Sequence, residues 1–346
     1  MKTYSSSILK VAALVSVFLS SINVVSAAVK KLNIDTRRYS KICANRLPIE
    51  DYDKRGHAIL KLSIEASSLT SILSKDSPQH KAMCWMIHDD QRKVDPRGNR
   101  AKFLERYALV TLYSNTKGPG WTRSDNWLGK EDECTWYGIT CTRTSLVSLK
   151  KRITTVDLSF NKVDGILPAE VAYLTEVTDL DLNGNSLQGV LPTLMFVNLK
   201  KLRRLNLHMN DLFGAIPTQV GNLKNLKELT LFGNFFFGKI PETISNLKKL
   251  ENLDLYANNL TGRIPASIGT LKKLKEFYVN DNEVAGTMPK EVCALKLQHL
   301  ISDCLGARPE VPCDCCSVCC QGLPDPKCRS MRAGKATQKK KKKVKK

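Results

Sequence analysis

The chain has 346 residues, 42% of them hydrophobic, and a formal charge of +21 at pH 7. That length supports one or two domains. Its twelve cysteines argue against a reducing compartment. Eight lysines crowd into residues 335–346, and much of the remaining positive charge is spread along the chain.

Residues 1–27 read as a secretory signal peptide. Lys2 and Lys10 precede an apolar run over 11–25, and Val25-Ser26-Ala27 supplies small residues for cleavage. The run is shorter than the roughly 20 residues a membrane helix needs, and no later run approaches that length. The alternative is a retained leader, which would tether the chain to a membrane by its N-terminal segment. Residues 28–76 are poorly defined, with a helix expected over 50–73 from the spacing of Ile59, Leu60, Leu62, Ile64, Leu69, Ile72 and Leu73. Cys43 and Cys84 are candidates to pair with each other, although spacing does not fix the pairing.

Two helices are expected over 79–90 and 100–113, split by the turn Asp95-Pro96-Arg97-Gly98. Then come Gly118-Pro119-Gly120-Trp121, Trp127 and the segment Cys134-Thr135-Trp136-Tyr137-Gly138-Ile139-Thr140-Cys141.

Residues 156–289 repeat. Asn recurs at 161, 185, 210, 234, 258 and 282, Gly at 165, 189, 214, 238, 262 and 286, and Pro at 168, 192, 217, 241, 265 and 289. Every series steps by 24 residues except for one step of 25. A fixed period in this range marks a solenoid, in which each unit buries its apolar face only against its neighbours. In the unit over 250–273, Leu253 and Leu255 alternate with Asn252, Asp254 and Tyr256, a strand with leucine inward. An inward Asn258 can bond backbone groups of neighbouring coils, Gly262 allows a backbone that a side chain forbids, and Pro265 starts the return leg without a donor to satisfy. The extra residue of the second unit lies between Pro192 and Leu202 and is expected as a bulge.

After the repeats, 292–300 is expected to finish a helix-like leg. The run Cys313-Asp314-Cys315-Cys316-Ser317-Val318-Cys319-Cys320 has spacings that suit zinc. Behind a leader, disulfides are the expected use, with no metal, and their connectivity stays open. The tail is expected to be disordered. Its lysine block, residues 339–346, opens on Lys339 and closes on Lys346. In a secreted chain it would touch an anionic polymer or a membrane surface, and nucleic acid is not an expected partner.

Catalytic motifs are missing: there is no Gly-x-Ser-x-Gly, His-Glu-x-x-His, phosphate loop or kinase set. The five histidines are scattered. No catalytic residues, enzyme activity or cofactor are therefore expected. The informative positions are the outward ones on the strands. Adjacent coils set equivalent residues about 5 Å apart, so His208, Phe232, Tyr256 and Tyr278 are expected to form a diagonal aromatic ridge flanked by Asn206 and Asp254. Exposed aromatics with a polar rim mark recognition surfaces. Asn259-Leu260-Thr261 is an N-glycosylation acceptor triplet, with Asn259 expected outward on the rim.

The repeat resembles the leucine-rich repeat family in its plant-type form, LxxLxLxxNxLxGxIPxxLxxLxx. The tryptophans and the Cys-x-Trp-x-Gly-Ile-x-Cys segment resemble the N-terminal cap of such proteins, and the whole cap is especially similar to diatom and algal examples. The resemblance implies an α/β repeat solenoid: a right-handed coil with a parallel concave β-sheet, a helical N-terminal cap and a Cys-rich C-terminal cap. It implies a Cys134–Cys141 disulfide around Trp136, and Trp121, Trp127 and Trp136 as cap core rather than a sugar platform. It divides the chain into the leader (1–27), the undefined segment (28–76), the N-terminal cap (77–152), six repeats (153–296), the C-terminal cap (297–328) and the tail (329–346). It further implies a secreted or cell-surface, receptor-like or inhibitor-like module that recognises a protein, peptide or glycan partner on its concave face. The alternative is a matrix or cell-wall protein attached through its basic tail.

Overall fold

The computed structural model describes residues 43, 52–143, 151–305, 310–321 and 328–330. The leader and the lysine block of the tail lie outside these residues.

The paired leucines of each unit set the architecture. They point inward from short strands that line up side by side into one ten-stranded sheet: β1 (Ile139–Arg143), β2 (Lys151–Asp157), β4 (Asp179–Asp181), β6 (Arg204–Asn206), β8 (Glu228–Thr230), β10 (Asn252–Asp254), β12 (Glu276–Tyr278), β14 (His299–Ser302), β15 (Val318–Cys320) and β16 (Cys328–Ser330). The strands from β2 to β15 are parallel, and an antiparallel partner closes each end. A second sheet of six parallel strands runs along the coil: β3 (Asp164–Ile166), β5 (Ser186–Gly189), β7 (Asp211–Ala215), β9 (Phe235–Lys239), β11 (Asn259–Gly262) and β13 (Glu283–Val284). The leucines between the sheets are fully buried, Leu205, Leu229 and Leu253 among them.

The asparagine column closes the backbone account. Asn210 Nδ2 donates to the Leu182 and Leu207 carbonyls (2.9 and 3.1 Å), and its Oδ1 accepts from the Leu187 amide (2.9 Å). Asn234, Asn258 and Asn282 repeat the pattern one coil further each time. Each amide thus satisfies turn groups that would otherwise be buried without partners. The glycine column holds left-handed backbone in every unit, from φ +77° at Gly238 to +140° at Gly165. After four of the six prolines the return leg is one 3₁₀ turn, as in Thr218–Asn222 and Glu242–Asn246. The extra residue of the second unit is absorbed there, where the leg widens into a short α-helix, Thr193–Asn198, instead of a bulge.

Helices cover the first coil. Tyr52–Ala66 and Leu69–Leu73 fill the region expected as one helix, broken by Ser68, whose side chain caps the second. Pro78–His88 and Arg100–Asn115 follow near the expected bounds. Trp121, Trp127 and Trp136 are buried, with neighbouring ring centroids 4.8 and 4.9 Å apart. Beside them Arg106 is fully buried. It bonds Asp90 (3.0 Å) and Glu133 (3.1 Å) and stacks on Trp85 and Trp136. All twelve cysteines are paired: Cys43–Cys84, Cys134–Cys141, Cys293–Cys315, Cys304–Cys319, Cys313–Cys316 and Cys320–Cys328. No helix among the described residues is long and apolar enough to cross a membrane.

Candidate recognition face of the concave sheet

Strand alternation places three outward rows on the concave sheet. The first holds Asp179, Arg204, Glu228, Asn252 and Glu276, aligned strand to strand. The second holds Asp157, Asp181, Asn206, Thr230, Asp254 and Tyr278. The third, just past the strand ends, holds Ser159, Asn183, His208, Phe232, Tyr256 and Asn280. Asn183, its second member, and Asn280, its last, are buried.

Three of the expected ridge residues come together. His208 stacks on Phe232 with ring centroids 4.2 Å apart and planes 11° from parallel, and Phe232 meets Tyr256 at 6.1 Å. All three are half-buried. Tyr278 does not join them. It lies two residues earlier in its own unit, so the parallel register sets it against Asp254, while Asn280 falls opposite Tyr256's row. The ridge is therefore a straight row of three rings, the first two stacked and the third tilted by 38°, rather than a diagonal of four.

Tyr278 has another partner. The segment expected to end a helical leg at 300 instead forms β14 after the short helix Lys290–Cys293, and His299 stacks beside Tyr278 at 6.5 Å. Leu297 and Leu300 keep the leucine spacing of a further unit. Ser302 stands where the second strand leucine belongs, which hides the unit from a sequence reading.

Polar contacts hold the ridge in place. Asn206 donates to Asp181 Oδ2 (3.0 Å) and faces His208 Nδ1 at 2.5 Å. Burial lowers the His208 pKa against the pull of Asp181, which favours the neutral ring. Burial pushes the Asp254 carboxyl up to about 6, and Glu276 adds to the rise against one hydrogen bond from the Tyr256 amide (3.1 Å). The first outward row, with Glu228 and Glu276, is absent from the sequence-expected site, although stepping back one residue from the strand leucine reaches it.

Asn259 belongs to the other sheet. It is exposed on β11, directly across from Phe237 on β9. Along the same sheet, toward β5, Val190, Phe213, Phe235 and Phe237 stand 47–57% exposed.

The model of the family described as Leucine Rich Repeat matches residues 225–247 and 249–271. These are leucine-rich repeats. A plant ice-binding protein of solved structure is 29% identical at a TM-score of 0.51, over 57% of this chain and 61% of that one. The leucine-rich repeat ectodomain of the Arabidopsis receptor kinase HAESA, in complex with a peptide hormone, is 31% identical at a TM-score of 0.49, over 58% of this chain and 32% of that one. A plant peptide hormone receptor in complex with its hormone is 31% identical at a TM-score of 0.39, over 40% and 23%. The chain thus spans between 23% and 61% of the length of these neighbours. No curated protein matches it.

Proposed function

We propose that this leucine-rich repeat protein is a secreted or cell-surface binding module whose concave face recognises a protein, peptide or glycan partner. One observation carries the reading: His208, Phe232 and Tyr256 line up ring against ring past the ends of three neighbouring strands, half-exposed, with hydrogen bonds fixing their polar neighbours. Rings held in this way offer contact area at little cost in side-chain entropy, the property of interface anchors. Six disulfides fit an oxidising, extracellular setting. In this reading the face is non-catalytic. The test is to pan a random-peptide display library and a glycan array with the full chain and with His208→Ala/Phe232→Ala/Tyr256→Ala. Ligands bound by the first and lost by the second support it. Ligands shared equally by both contradict it.

The exposed apolar row of the second sheet favours another reading, adhesion to ice, the property in the name of the plant neighbour. Against it, a repeating lattice needs repeating chemistry, and the aligned rows of this sheet are mixed: Ile166, Gln188 and Asp211 share one, and Ala215, Phe237 and Asn259 another. An ice recrystallisation assay separates the two readings: inhibition by the full chain, abolished in Phe235→Ser/Phe237→Ser, would favour ice.

A further inference from the structure

The concave face is opposite in sign to the molecule that carries it. Its two strand rows hold Asp157, Asp179, Asp181, Glu228, Asp254 and Glu276 against Arg204 alone, on a chain with a formal charge of +21. Arg204 is spent on Asp179 (3.0 Å). On the rim, Lys227 and Lys275 share Glu251 (3.5 and 2.6 Å), and Arg203 stands exposed. Asp157, Asp181, Glu228, Asp254 and Glu276 are in no ion pair among the described residues. Asp157 and Asp181 bond only neutral groups, Ser159 for the first and the Asn183 and Asn206 amides for the second.

The chain itself carries the complementary chemistry, and it leaves the fold at the right place. Residues 331–346 contain Arg332, eight lysines and no acidic residue. They start from Ser330, the last residue of β16, which the Cys320–Cys328 disulfide ties to β15. The register runs from Ser330 to Val318, Ile301, Tyr278 and Asp254, so Ser330 stands in the same row as the carboxylates. At roughly 4.8 Å per strand, Asp254 is about 19 Å from β16 and Asp181 about 34 Å. An extended chain covers about 3.4 Å per residue, so Lys339 reaches about 30 Å and Lys346 about 54 Å. The lysine block therefore spans the carboxylate row without strain in the connection.

We propose that residues 339–346 dock in cis along the concave face, their ammonium groups on Asp181, Glu228, Asp254 and Glu276 and beside the Tyr256 and Tyr278 rings. The attachment favours the chain's own tail over a free peptide, because the short connection keeps the lysines at a high effective concentration. This goes beyond the reading of the concave face as a recognition surface, because it rests on the carboxylate rows and not on the three rings.

Zero-length carbodiimide coupling tests the placement on the full chain, because it joins a lysine to a carboxylate only where the two are in contact. Peptide mapping of the monomer fraction is expected to find residues 339–346 joined to Asp181, Glu228, Asp254 or Glu276. Those links should fall at least about fivefold in about 0.5 M salt, where screening confines charge interactions to a few ångströms. They should fall similarly when an excess of a synthetic peptide of residues 335–346 is added. Asp181→Asn/Asp254→Asn/Glu276→Gln, chosen as near-isosteric changes, should redistribute them. Tail links spread evenly over the surface, or confined to cross-linked dimers, would overturn the proposal. The probe is the tail and not an outside ligand, so its failure would leave the aromatic ridge test untouched, and failure of the ridge test would leave these links in place.

Discussion

Single side chains do two kinds of work in this solenoid. The inward asparagines hold turns together: Asn210 satisfies two carbonyls and one amide of adjacent coils, all buried. Asn210→Ala should therefore cost about 2–4 kcal/mol, since it strands those backbone groups without water; urea denaturation measures it, and a change within error would contradict the ladder. Asp254 works differently. Its carboxyl is raised to about 6 in the fold, so the folded state holds the proton more tightly than the unfolded chain does. The stability this group contributes is full below its ordinary value near 4 and is lost as pH rises through about 6. Asp254→Asn should then be the more stable protein at pH 7, by about 1–2 kcal/mol after allowance for solvent screening, with the gap closing toward pH 4. The Asn column was legible in the sequence because one residue type recurs at one spacing. The Asp254 perturbation was not, because it comes first from how deeply packing buries the carboxyl and then from Glu276, diagonally across on β12.

At the scale of strands, the two sheets differ in how units meet. Along the concave sheet, partners are separated by the repeat itself, as Leu229 and Leu253 are. Along the second sheet they are closer in sequence, Phe213 opposite Phe235 and Phe237 opposite Asn259, so each strand is staggered by two residues on its neighbour. That stagger brings Asn259 beside Phe237, a contact that equal spacing of units does not suggest. A glycan on Asn259 would lie over Phe237 and cover part of the exposed row. Enzymatic deglycosylation should lower the mass of the chain produced through a eukaryotic secretory pathway, and Asn259→Gln should remove that shift and increase aggregation at high concentration. An unchanged mass on deglycosylation would remove the glycan from the account. The straight three-ring ridge has the same lesson. Its columns follow from the period, which already sets Tyr278 in the row of Asp254, 24 residues on, and apart from the other three, whereas β14 was hidden by Ser302.

Over the whole molecule, repetition makes the middle readable and the ends obscure. Six units share one pattern, so the coil, its inward leucines and its concave sheet follow from the period and the alternation of strands. Each cap is made once and has no second copy to read against. The Arg106 cluster with Asp90 and Glu133 looks like ordinary helix polarity until Trp85 and Trp136 close over it. The four C-terminal disulfides could not be assigned from spacing, because the cysteines are close enough in sequence to pair in many ways. The same contrast bears on function, since exposed aromatics stand on both sheets and recognition is proposed for only one. A matched deletion on each face decides between them. The peptide or glycan recovered on the full chain would be titrated against His208→Ala/Phe232→Ala/Tyr256→Ala and against Phe213→Ser/Phe235→Ser/Phe237→Ser, with folding checked by circular dichroism. Loss of an anchor cluster should weaken binding by at least about thirtyfold for the first, at roughly 2 kcal/mol or more, and leave it within about twofold for the second. Equal affinity of the concave variant and the parent, or loss confined to the second-sheet variant, would contradict the concave face as the site of recognition.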